Sequence, residues 1–382
     1  MSQIAFYAPL KPPDHPNPSG DRLIANLFMK ALAEAGHDVR LASRFRSHDS
    51  HGNEKRQNRM IKLGETLARR LIRQWEKQGY RPDAWFTYHL YYKAPDLIGP
   101  HISRHYSIPY LVAEASWAGK RAQGPWHNYH LQLEQALLQA DAIITINPHD
   151  AIALRRFLPD SSHLVNLPPF LDIAAIKKAS ELPLTVKPEP NRLITIAMMR
   201  PGDKLHSYQL LVEALQYVDQ PFQWFMVGDG KERQTVEQLF KGDPRIHFTG
   251  QLNATQVHKL LSECELHVWP AVNEAFGMAL LEAQYQHVAI LSGDEGGVKY
   301  VVADGKTGQL VKPRDPKALG TALNHLLTQP DTLHGYRQQA RAYVEAQHSL
   351  TQAALILSAT LSNLLHKEHH NAGSHHPSPR AY

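Results

Sequence analysis

A chain of 382 residues with 43% hydrophobic and 20% charged side chains is long enough for two domains of ordinary size and apolar enough to pack both. One cysteine, Cys264, excludes an internal disulfide and any all-cysteine metal cage, and a reducing compartment is expected. The net charge of +5 is uneven: residues 1–180 hold 23 Lys/Arg against 16 Asp/Glu, and the remainder holds 18 against 20.

The opening "MSQIAFYAPLKPP" lacks the apolar core of a secretion signal, and no uncharged apolar run approaches the roughly 18 residues that span a bilayer. A cytoplasmic protein, soluble or peripheral, is the expectation. "QIAFYAP" predicts a first strand, followed by a polar Pro/Gly loop to Gly20. A helix follows in "DRLIANLFMKALAEAG", where Leu23, Leu27, Lys30 and Ala31 carry three-to-four spacing and Gly36 supplies the stop.

"HDVRLAS" is the next strand. Between Arg40 and Arg73 the chain holds ten Lys/Arg and three Asp/Glu. There "MIKLGETLARRLIRQW" spaces Met60, Leu63, Leu67, Leu71 and Trp75 at near-helical intervals beside Arg69, Arg70 and Arg73. Two readings fit: an ordinary amphipathic helix packed on its own domain, or a helix lying on an anionic membrane surface, which would place the protein on the inner face of a membrane.

"AWFTYH", "IPYLVAEAS" and "AIITIN" are further strands, with a helix in "NYHLQLEQALLQA". "ELPLTVKPEPNR", residues 181–192, has three prolines and little periodicity and reads as a linker. The rhythm then restarts with strands in "LITIAMM", "FQWFMVG", "RIHFTG", "LHVWP", "HVAILSG" and "TGQLVKP", and helices in "SYQLLVEALQYV", "VEQLF", "ATQVHKLLSE" and "FGMALLEAQYQ".

This alternation predicts an α/β protein with two Rossmann-like parallel-sheet domains, residues 1–180 and 193–349. They should face a central cleft, because open α/β sheets bind ligands beyond the carboxyl ends of their strands. Residues 350–365 are expected to form a helix packing back toward the N-terminal domain. The tail 366–382, with five histidines and almost no apolar residues, is expected to be disordered.

The chemistry concentrates in the second half. "NEAFGMALLEAQ" keeps two carboxylates, Glu274 and Glu282, in an otherwise apolar run. "AVNEAFG" should be a strand-to-helix loop, placing Glu274 just before the free N–H groups of a helix N-terminus, which attract an anion such as phosphate. Gly277 would let backbone approach a ligand closely. Glu282, two turns on among Leu280, Leu281 and Ala283, is costly unless it faces a polar partner. The alternative is that Glu274 caps the helix and Glu282 is solvated.

Upstream, "AMMRPGDKLH" places Arg200 and Lys204 four apart, a cationic pair suited to a diphosphate or else two solvated surface charges. Gly228 and Gly230 in "FMVGDGKER" and Gly296 and Gly297 in "SGDEGGVKY" add glycine loops after strands, each alone more often a plain turn.

Together these residues resemble the retaining nucleotide-sugar glycosyltransferases of family 4, which have the GT-B fold. The motifs are the Arg200/Lys204 pair, "VGDG", "FTG", Glu274 with Glu282 eight positions on, "GGV" and "DGKTGQLVKPRD". "PSGD", "AGHDV", "ADAIITIN" and "NLPPFLD" extend a looser likeness through the first domain. The resemblance implies transfer of a sugar with retention from a nucleotide diphosphate donor to a glycan or lipid-linked acceptor, in surface-glycan or glycolipid assembly.

It also implies roles. Arg200 and Lys204 would neutralise the diphosphate, and Glu274 would contact the donor sugar, with the N–H groups of Phe276 and Gly277 nearby. Glu282 would accept from ribose hydroxyls, and Gly20 and Gly228 would lie against the donor. No cofactor or metal is implied, the cationic side chains taking the metal's place.

The chain departs from the family at Glu114, where a histidine often stands, and at Lys299 and Tyr300, where a Pro-Glu pair often follows the glycines. Glu114, with Lys120 and Trp126, becomes an acceptor-side candidate, and Glu114 a candidate base. A loop-shaping ion pair of Glu114 with Lys120 or Arg121 is the competing reading. An epimerase or hydrolase of the same fold, or a non-catalytic nucleotide-sugar binding protein, are the alternatives. Despite a pI of 9.1, no nucleic-acid motif is present.

Overall fold

The computed structural model describes residues 1–17, 19–179 and 190–373. It divides into two compact units: Met1–Leu167 together with the segment from Leu350, and Pro168–Ser349.

The first unit runs β1 (Gln3–Tyr7), α1 (Gly20–Glu34), β2 (Asp38–Ser43), α2 (Glu54–Gln78), β3 (Ala84–Leu90), α3 (Gly99–Tyr106), β4 (Tyr110–Ala115), α4 (His127–Gln139), β5 (Ala142–Thr145), α5 (Pro148–Phe157) and β6 (Leu164–Asn166). Its strands form one parallel sheet in the order β2-β1-β3-β4-β5-β6. The central strands read as continuous apolar runs because helices cover both faces.

α1 begins where Ser19 accepts from the Arg22 N–H, and its buried face is Ile24, Leu27, Phe28, Ala31 and Leu32. Leu23 is 49% exposed, so the apolar stripe sits one residue off the expected phase. In α2, Ala68 and Trp75 are buried in the core and Leu67 and Leu71 pack against it, as in an ordinary amphipathic helix, while Leu63 of the same stripe is 39% exposed. The outward side is a row of exposed Lys and Arg. Among the described residues no helix is long and apolar enough to cross a membrane.

The second unit runs α6 (Ile173–Ala179), β7 (Arg192–Ile196), α7 (Asp203–Leu215), β8 (Gln223–Val227), α8 (Arg233–Leu239), β9 (Ile246–Gly250), α9 (Ala254–Ser262), β10 (Leu266–Trp269), α10 (Met278–Tyr285), β11 (Ala289–Gly293), β12 (Gly308–Val311), α11 (Pro316–Leu327) and α12 (Pro330–Gln347). Its parallel sheet has the order β12-β11-β10-β7-β8-β9.

The division falls after Leu167 and not at residue 180. Leu171 N donates to His348 O at 2.8 Å, His348 Nδ1 meets Pro169 O at 2.7 Å, and Ile173 and Ile176 pack on the second core. Most of the expected linker, residues 181–189, lies outside the described residues.

The last helix, α13 (Leu350–Gly373), packs along α1, with Thr351 Oγ1 donating to Glu34 Oε1 at 2.6 Å. Its range takes in residues 366–373 of the expected tail. The rest of that tail, 374–382, lies outside the described residues.

Candidate active site

In the second sheet the strand order reverses between β7 and β10. Ligands of open α/β sheets bind beyond the carboxyl ends of strands at such a reversal. Arg200 stands in the loop after β7, Lys204 in the first turn of α7, and Glu274 in the loop after β10.

Lys204 Nζ donates to Glu274 Oε2 at 2.5 Å, and Trp269 Nε1 donates to the same oxygen at 3.2 Å. The ammonium also lies 5.2 Å from the Trp269 ring centre. Glu274 therefore does not cap α10. That helix begins at Gly277, in the left-handed region at φ 65, with no side-chain cap. Its first N–H groups have no helical partner, and Phe276 lies partly exposed beside them. Arg200 is exposed, and among the described residues no carboxylate pairs with it.

Gly228 is explained by packing. A Cβ there would sit 1.9 Å from Ala197 O, so glycine is needed for the loop after β8 to seat the segment leading to Arg200. The pair Gly296–Gly297 plays the same part for the acid loop. Gly297 N donates to Glu274 O at 2.7 Å, and a Cβ on either glycine would meet the backbone of Glu274 or Ala275 near 2 Å.

Four residues that brace this loop had no place in the sequence reading. Asn273, at φ 48, donates through its backbone to Glu295 Oε1 (3.2 Å) and through Nδ2 to Asp203 Oδ1 (2.9 Å). Its Oδ1 accepts from Arg314, which also pairs with Glu295. The local signal was an asparagine, which tolerates positive φ, directly before the acid.

Glu282 lies on α10 between the buried Leu281 and Ala283. Its partly exposed carboxylate has no side-chain hydrogen bond among the described residues, and desolvation by the apolar side chains packed around it pushes its pKa up to about 7. The folded chain then holds a proton that the unfolded chain has lost, so stability falls as pH rises from the ordinary glutamate range to about 7. Glu282→Gln should accordingly raise apo-protein stability by about 2 kcal/mol at pH 8 and change it little near pH 4. Urea denaturation at the two pH values checks this. Equal stability at pH 8 would show a solvated carboxylate.

The first sheet reverses between β1 and β3, and a second set of groups meets at the carboxyl ends of its central strands. Gly20 opens α1, and a Cβ there would meet nothing within 4 Å, so the protein itself does not demand glycine. Its neighbour Asp21 meets His89 Nδ1 at 3.0 Å. His89 and Glu114 close β3 and β4 in the left-handed region at φ 62 and 57, where non-glycine backbone is strained.

Burial opposes protonation of His89, but the charge of Glu114 and the contact with Asp21 outweigh it and raise its pKa. Burial raises the Glu114 carboxyl while His89 pulls the other way. Glu114 Oε2 makes no hydrogen bond of good geometry, although the buried Tyr88 hydroxyl stands close enough to pull the carboxyl's pKa down, and no ion pair joins Glu114 to Lys120 or Arg121. Asp150 stands nearby, raised by burial and held by Ser116 Oγ at 2.9 Å. Asp21, His89 and Asp150 were missed because they lie far apart in sequence and only the sheet gathers them. Among the described residues no group of three or more His, Cys, Asp or Glu is placed to hold a metal ion.

Residues 185–343 match the family model of glycosyl transferases group 1. The chain carries a glycosyl transferases group 1 domain. It coincides with the second unit and contains Arg200, Lys204, Glu274 and Glu282. Over 160 residues the chain is 28% identical to sulfoquinovosyl transferase SQD2 of Arabidopsis thaliana, covering 41% of this chain and 31% of that protein. The chain's matches span about a third of the length of such curated relatives.

Among solved structures, sucrose-phosphate synthase from Thermosynechococcus elongatus superposes with a TM-score of 0.66 at 19% identity, covering 97% of this chain and all of that one. The Anabaena protein HepE, solved with UDP, gives 0.69 at 14% identity over 95% of this chain and all of its own. At these identities the likeness establishes the fold: two Rossmann-like domains of the GT-B class.

Proposed function

We propose that this chain is a glycosyltransferase that moves a sugar from a nucleotide diphosphate donor to an acceptor hydroxyl, in the assembly of a surface glycan or glycolipid. The observation that carries the reading is the Lys204–Glu274–Trp269 contact beside the unpaired Arg200, at the strand reversal of a group 1 domain.

Arg200 and Lys204 neutralise the diphosphate and the charge that grows on it as the sugar–oxygen bond breaks. The N–H groups opening α10 add to that field. Glu274, fixed by Lys204 and Trp269, accepts from the donor sugar, and Glu282 accepts from the ribose hydroxyls. In the first unit Glu114 takes the acceptor's proton, a step favoured by a carboxyl whose pKa is raised toward working pH. Transfer proceeds with retention, through a front-face step at an oxocarbenium-like centre, and without a bound metal.

The test is donor binding that depends on Arg200 and Lys204. Attachment to an anionic membrane falls to the exposed Lys/Arg row of α2 and is chiefly electrostatic. Co-sedimentation with anionic but not neutral vesicles, lost at high salt, is the expected result. Equal co-sedimentation with both would remove it.

A further inference from the structure

The loops that follow β3 and β4 bring two cations over the same pair of rings. Arg121 lies 4.7 Å from the Tyr92 ring centre and 5.2 Å from that of Trp126, and Lys93 Nζ lies 5.8 and 5.2 Å from the same two. The rings meet edge to face, 5.5 Å apart at 84°. All four side chains are partly exposed.

The shelf is anchored. Trp126 Nε1 donates to Asp49 O at 3.3 Å, Asp49 N to Lys93 O at 2.8 Å, and Gln57 Nε2 to Pro125 O at 2.9 Å. Among the described residues neither cation has a carboxylate partner, and the Arg121 Nε is buried with no hydrogen-bond acceptor.

Two like charges over one aromatic pair repel, and a buried guanidinium N–H without an acceptor is costly. An anion arriving between them would satisfy both. The ring faces beside it are suited to the apolar face of a sugar. The shelf also connects to the acid–histidine cluster by successive ring contacts: His89 to Tyr91 at 5.0 Å, Tyr91 to Tyr92 at 5.6 Å, then Tyr92 to Trp126.

We infer that Arg121, Lys93, Tyr92 and Trp126 form a subsite for a sugar bearing a carboxylate or phosphate, and that the acceptor is anionic. Its role as acceptor rests on the glycosyltransferase reading. The binding itself does not.

The experiment is saturation-transfer NMR and thermal shift on the full chain with glucuronate, glucose 6-phosphate, glucose and inorganic phosphate, run beside a nucleotide-sugar donor. The two anionic sugars should bind about tenfold or more tighter than either glucose or inorganic phosphate, the scale of one charge-assisted hydrogen bond. Arg121→Ala and Lys93→Ala should each abolish that preference, and Arg121→Lys should restore part of it. All three should bind the donor as the parent chain does and keep its near-UV circular dichroism and amide NMR dispersion, which shows that both units are folded.

Equal binding of glucose and the anionic sugars, an unchanged preference in the alanine variants, or inorganic phosphate binding as tightly as the sugar phosphate would each overturn the subsite. Anionic-sugar binding without any donor binding would instead overturn the glycosyltransferase reading and leave the subsite standing.

Discussion

Glu114→Gln should bind donor as the parent chain does and transfer sugar about 10²-fold more slowly or worse, the usual size of a general-base contribution. The substitution keeps the side chain's shape and removes only its charge and basic site. Two observations give it this weight. Glu114 Oε2 is buried against His89 and the Tyr88 hydroxyl with no cation paired to it, and its backbone is held in the left-handed region at the end of β4. The same variant should lower the His89 pKa, since the charge of Glu114 is the leading influence that raises it. A 13C or 15N titration of His89 therefore reports the contact independently of catalysis. Wild-type turnover at saturating donor and acceptor would assign Glu114 to structure.

Glu274→Ala should reduce turnover by about 10²-fold while changing donor affinity only slightly, because the lost contact is aimed at the reacting sugar. The cause is local. Among the described residues Glu274 is the one acceptor that joins Lys204 and Trp269, so its removal frees Lys204 to follow the diphosphate rather than the acid. Steady-state kinetics beside calorimetry separates the two effects. A variant that only melts earlier, with normal kcat and KM, would mean that the acid merely holds the loop.

The second unit was largely legible in sequence. Its strands are short apolar runs bounded by Gly and Pro, and Glu274, Lys204 and Glu282 sit in loops or helices that such runs fix by position. Three features, the first of them at the end of the first unit, were not. β6 has three residues near prolines, too short to show a period, and α6 joins the second unit through Leu171 and His348, which sequence separates by more than a domain. Gly228 was expected only as a donor contact, and the 1.9 Å approach of a Cβ to Ala197 O adds a packing need that a glycine after a strand does not reveal in sequence.

The first unit hid its site for a different reason. Glu114 was visible as a departure from a family pattern, but Asp21, His89 and Asp150 gain meaning only where the ends of parallel strands meet. His89 and Glu114 both adopt backbone that their residue types disfavour, which no propensity would suggest.

The most direct test of the central claim is calorimetric titration of the full chain with uridine, guanosine and adenosine diphosphate sugars, repeated on Arg200→Ala and Lys204→Ala. One donor should bind the parent chain, and each variant should lose about 1.5 to 3 kcal/mol of that binding, the scale of a hydrogen bond to a charged group. Binding of a donor with unchanged affinity in both variants would contradict the account.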